Sequence, residues 1–147
     1  MSYITNADIE QRLGSDTYVQ LTDDDGDGVA DVGVVDEARL GAEGEVDSYL
    51  AHRHQVPIDV SAYPQLAGVL ASITLDLVER RLRGRRPPVP DSAIRTHDRA
   101  IEWLRSVADG AIKLPSAGAL PANPTHGVVA RASGDERILS HEELSNH

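Results

Sequence analysis

The sequence predicts an all-α protein: a small helical bundle of about four helices, with an acidic Asp/Gly loop between the first two and an extended carboxyl-terminal arm. Three observations predict it. Apolar residues recur at spacings of three and four along the longer stretches, which places them on one side of a helix turning every 3.6 residues or so (about 100° per residue). Glycines and prolines mark where those stretches stop. Beyond about residue 114 the composition turns to Gly, Pro, Ala, Ser and Asn without a sustained period, as expected of chain that orders only against something else.

The first helix is read over residues 7–14. Asn6 offers an acceptor side chain at its start, Asp8 puts an acid in the first turn and Gly14 stops it. Ile9 and Leu13, four apart, form its buried stripe. Tyr18-Val19-Gln20-Leu21 then leads into the acidic loop. The second helix is read from residue 34 to about residue 54, with Val35, Ala38, Ala42, Val46, Tyr49 and Leu50 on one side. Asp31 or Asp36 is placed to cap it, and Asp36 and Glu37 suit the positive end of its dipole. Gly41 and Gly44 each weaken it by up to about 1 kcal/mol relative to alanine. Such a pair suggests that another backbone, from a neighbouring helix or subunit, approaches closely.

Residues 55–64 read as an extended connector, because Pro57 and Pro64 push the residue before each out of helical space. Pro64 opens the most apolar helix, residues 65–83, whose wide face is Leu66, Val69, Leu70, Ile73, Leu77 and Val78, extended by Leu75 and Leu82. At about 1.5 Å per residue it is about 28 Å long, enough for the central mast of a small domain. Arg80, Arg81, Arg83, Arg85 and Arg86 complement its negative end, and Pro87-Pro88 forbids continuation. A further helix starts at Asp91 or Ser92 and runs to Asp109, with Gly110 as its stop. It buries Ile94, Ile101, Leu104, Val107 and Ala108, with Trp103 beside them. Residues 1–114 thus read as one helical domain and residues 115–147 as an extended arm.

The stretch Asp23-Asp24-Asp25-Gly26-Asp27-Gly28-Val29-Ala30-Asp31 carries most of the chemistry. Asp23, Asp25 and Asp27 alternate and Gly28 follows directly, which is the first half of a calcium loop. A hard divalent cation takes about six to eight oxygens at about 2.3–2.6 Å, and a tightly wound loop brings alternate carboxylates to one centre. Val29 would add a main-chain carbonyl, and Asp31 stands where a ligand often acts through water. The twelfth position, where a bidentate Glu belongs, is Val34, so Asp36 or Glu37 would have to close the shell from a lengthened loop. Ca2+ is therefore the candidate cofactor. The competing reading is an Asp/Gly turn without metal, which must account for the repulsion among five carboxylates within nine residues.

Composition narrows the function classes. A chain of 147 residues with 40% hydrophobic side chains can bury one real core. Its net charge of −10 argues against a dedicated nucleic-acid surface and favours cation binding. The absence of cysteine excludes disulfides and thiolate metal sites. No apolar run approaches the roughly 18 residues of a membrane span, and the first residues lack a signal peptide's basic and apolar regions, so a soluble chain starting at Met1 is expected. His52, His54, His97, His126, His141 and His147 include no pair at the helical spacing of a zinc site and read as ordinary surface histidines. Neither a Gly-rich phosphate loop nor a nucleophile elbow is present, so no enzyme is expected. The arginines at 80–86 either pair with acids of the same or a neighbouring subunit or face nucleic acid, and the acidity of the chain favours pairing.

Assembled, these pieces resemble the phage Mu-type head-to-tail connector family. The resemblance rests on Met1-Ser2-Tyr3-Ile4-Thr5, on Leu21-Thr22-Asp23 running into Asp25-Gly26-Asp27-Gly28-Val29, and on Val35-Asp36. It continues through Glu45-Val46-Asp47-Ser48-Tyr49-Leu50, Arg53, Pro57, Arg80-Arg81-Leu82 and Ala100-Ile101-Glu102-Trp103-Leu104, and so covers roughly residues 1–114. It implies a structural virion protein, an all-helical adaptor forming a homo-oligomeric ring of roughly twelvefold symmetry. The ring would sit below the portal protein and join it to a tail-side connector or stopper protein. DNA would pass through the channel without sequence-specific binding, and no membrane is involved. Assembly in the host cytoplasm and a final place at the head–tail junction follow from the same resemblance, and no catalytic residues carry over. The alternative is a calcium-dependent protein-binding module outside any virion, which predicts micromolar calcium affinity and a large chelator-induced change.

Overall fold

The computed structural model describes residues 2–115. Among them are five helices and no strand: α1 (Asn6–Leu13), α2 (Ser15–Thr22), α3 (Val32–Leu50), α4 (Pro64–Gly84) and α5 (Asp91–Ala108). The all-α bundle expected from the sequence is what forms. The expected extended arm lies outside the described residues.

The most apolar helix is the mast. Pro64 occupies the first turn of α4, where a missing N–H breaks no intrahelical bond. The helix packs against each of the other four, and Leu70, Leu77, Val78 and Leu82 along it are fully buried. α3 brings Val35, Ala42, Val46 and Leu50 to that core and α5 brings Ala100, Leu104 and Val107. The face read for α3 is the face it buries. On α5, Ala93 is buried where Ile94 was expected, and Ile94 stays half-buried.

The structure holds one helix more than the pattern of the sequence indicates. Residues 15–22 are helical, so the acidic loop joins α2 to α3 rather than the first helix to the long one after it. With Tyr18, Leu21 and Thr22 as its only buried residues, α2 has too little apolar signal for a period to register. Gly14, at φ 83°, turns the chain between α1 and α2 in a region that side chains disfavour.

Two other expectations change in detail. Thr5, not Asn6, caps α1: its hydroxyl accepts from the Asp8 N–H and the Asp8 carboxylate accepts from the Thr5 N–H at 2.7 Å, a reciprocal capping box. Asn6 is freed to tie α1 to α3, donating to Asp36 at 2.9 Å and accepting from Arg39 at 3.0 Å. Among the described residues, no backbone of a neighbouring helix enters at Gly41 or Gly44. The Arg81 guanidinium lies where a side chain on Gly41 would stand, 2.9 Å from it, while Gly44 faces open space.

The first residues cross α3 and are held by a buried acid. Glu43 is 9% exposed; its Oε1 accepts from the Ser2 hydroxyl and from the Tyr3 N–H at 2.9 Å. The Tyr3 hydroxyl donates to Asp47 at 2.6 Å and accepts from the Ile58 N–H at 2.9 Å, which pins the connector before α4 to the amino terminus. Burial, reinforced by the hydrogen bond to Asp47, raises the Tyr3 hydroxyl well above the usual tyrosine range. At the opposite side Arg12 of α1 pairs with Asp76 and Glu79 of α4.

Candidate metal centre

The loop begins where α2 runs out. Asp23 ends α2, Asp31 precedes α3, and a hydrogen bond from the Asp31 N–H to the Thr22 carbonyl at 3.1 Å closes the neck between them. Inside the neck, aspartates satisfy the backbone, as short acidic side chains do in turns. Asp23 accepts from the Gly26 N–H at 2.7 Å and from the Gly28 N–H at 2.9 Å. Asp25 accepts from the Asp27 N–H, and Asp27 from the Val29 N–H. Gly26 and Gly28, at φ 76° and 82°, supply the left-handed turns that wind the chain around Asp23.

This winding brings Asp23, Asp25 and Asp27 together, with one oxygen from each within 4.8 Å of the others. Backbone N–H groups, Gly28 first and Gly26 after, hold the Asp23 carboxyl below the usual range. Asp25 goes the other way: the Asp27 N–H pulls it down, but the Asp23 carboxylate, desolvation and Asp27 together push it above the usual range. Backbone donors thus favour the ionised form of Asp23, while its neighbours' negative charge and desolvation oppose ionisation of Asp25. An all-oxygen, carboxylate-rich donor set suits Ca2+ or Mg2+ and does not suit zinc.

The converging side chains do not include Asp31 or Asp36. Asp31 accepts from the Asp24 N–H at 2.7 Å, at the neck. Val29, predicted to act through its main-chain carbonyl, donates its N–H to Asp27 at 2.9 Å. Asp36, expected to help close the shell, is drawn to α1 instead: its carboxylate accepts from Asn6 and from Arg39 at 3.3 Å, which lowers its pKa, Asn6 being the larger cause. The convergent set is therefore three carboxylates, about half of what a tight calcium shell takes.

The arginines past the mast hold the loop from outside. Arg85 reaches Asp24 with contacts of 2.6 and 2.9 Å and donates to the Leu21 carbonyl at 2.6 Å. Arg86 donates to the Asp23 carbonyl at 3.0 Å and lies 3.4 Å from Asp24. Arg81 pairs with Glu45 and Arg83 with Glu79. Of the two readings for this cluster, pairing with acids of the same chain accounts for these four residues. The signal available beforehand was the excess of opposite charge in the two stretches, which says nothing about which side chains meet. Replacing Asp24 by alanine is expected to cost no more than about 1 kcal/mol, because the pair is half-exposed. The loss should shrink in about 1 M salt, where the Debye length is about 3 Å; urea titrations at low and high salt check this.

The family model described as Bacteriophage Mu, Gp36 matches residues 3–132. The chain belongs to that family. The matched span takes in all five helices, the acidic loop and both arginines that hold it. A search of curated proteins finds no match. Among the described residues, no helix of this Gp36-family chain is long and apolar enough to cross a membrane.

Proposed function

We propose that this chain is a structural component of a phage or phage-like particle: a head-to-tail connector that assembles as a ring below the portal protein and joins it to tail-side proteins around the DNA channel. Membership of the Bacteriophage Mu, Gp36 family over residues 3–132 carries the proposal. Surface chemistry supports it. Val29, Val32 and Leu40 are each at least 60% exposed, along the loop and one side of α3, and a neighbouring copy would cover them. The arginines nearest the mast's end are tied to acids of their own chain, so DNA would pass without being gripped. The reading is non-enzymatic, with the acidic loop as a corner between α2 and α3. Electron microscopy of particles carrying the chain tests it: ring density at the head–tail junction is expected.

The convergence of Asp23, Asp25 and Asp27 favours one second reading, the calcium-dependent protein-binding module. The two differ in affinity. With three converging carboxylates and Val34 at the twelfth position, the corner is expected to bind Ca2+ only at about 10⁻⁴–10⁻³ M. Asp25→Asn should weaken that binding further. Binding should also fade as pH drops, protons going first to Asp25 because its pKa is raised. Calorimetric titration that instead gave micromolar affinity, with a chelator-induced loss of helix, would favour the module.

A further inference from the structure

A second site lies at the other end of the bundle, where the segment after α3 meets the segment after α5. A cavity of about 380 Å³ is lined there by His52, Arg53, His54, Ile112, Lys113 and Leu114, and among the described residues no acid lines it. In a chain of net charge −10 that is an unusual recess. Its charge is fixed in place, because Arg53 donates to the Ala108 and Asp109 carbonyls at 2.9 Å each. His54 is 7% exposed, and among the described residues its buried Nδ1 has no hydrogen-bond partner, although buried polar groups are ordinarily paired.

We propose that this cavity binds the chain's own carboxyl-terminal segment, residues 138–144. That segment reads Ile138-Leu139-Ser140-His141-Glu142-Glu143-Leu144, aliphatic groups for the Ile112 and Leu114 wall and two carboxylates for Lys113 and Arg53. Reach is sufficient. Residue 115 lies one position beyond the wall residue Leu114, and the 23 positions from there to residue 138 need cover only a short distance, against about 25–30 Å for a random chain of that length. The inference stands whether or not the chain is a connector.

Amide hydrogen exchange on the full-length protein tests it, using K113E, the pair E142K/E143K, and all three together. Lys113 is exposed, so its reversal leaves the core intact, and unchanged exchange along α4 serves as the control. Residues 138–144 are expected to exchange at least about tenfold more slowly than a free peptide. Either reversal should abolish that protection and the combination should restore it. Free-peptide exchange in the unsubstituted chain, or protection indifferent to K113E, would overturn the proposal.

Discussion

Replacing Leu77 by alanine is expected to lower the stability of the bundle by about 3 kcal/mol, within the roughly 2–5 kcal/mol typical of buried leucine truncations. Leu77 is 1% exposed on the helix that touches all the others. Truncation there leaves a cavity bordered by elements that cannot all collapse into it, so the cavity penalty adds to the lost transfer energy. For a domain of this size the melting temperature should fall by about 10–20 °C. Leu40→Ala on α3 is the matched control. Leu40 is 60% exposed, so the same change should stay within about 0.5 kcal/mol in the isolated chain. Urea denaturation of both variants separates the two positions. Equal losses would mean that α4 is not the axis of the fold.

Glu43→Ala is expected to cost about 2–4 kcal/mol and to release the first residues from α3. The carboxylate serves the Ser2 hydroxyl, the Tyr3 N–H and, at 3.6 Å, Arg39. Removing it strands a buried donor and leaves a half-buried guanidinium with fewer partners, and stranded groups cost more than the bonds they formed. Glu43→Gln keeps an acceptor for the Tyr3 N–H and should lose less than half as much. Hydrogen exchange at Tyr3 and Ile4, followed with urea stability, reads both effects. A neutral Glu43→Ala variant would mean that the amino terminus is held by its apolar side chains alone.

What was legible beforehand follows from which interactions are local. The buried face of α3, the mast character of α4 and the stop at Gly110 all come from residues within a few turns of one another, and the sequence displays them directly. Burial of Glu43 was not legible. It stands beside Ala42 and Val46 on a shoulder of the helix that would be wet if residues 2–4 did not lie across it. Helix α2 was hidden by its weak apolar pattern, and the Thr5 cap by having another acceptor, Asn6, immediately after it. The candidate site divides in the same way. The convergence of Asp23, Asp25 and Asp27 is legible because their alternation is local. Asp36 was misplaced because Asn6 and Arg39 compete for it, and the grip of Arg85 on Asp24 spans 61 positions of sequence.

As a connector, the chain is a building block whose exposed α3 side is expected to be covered by its own copies. Electron microscopy of the particle, with light scattering on the concentrated purified chain, tests that most directly. A closed ring of roughly twelve copies at the head–tail junction is the expected result. A monodisperse monomer at every concentration, together with particles that show no ring of this chain, would contradict it.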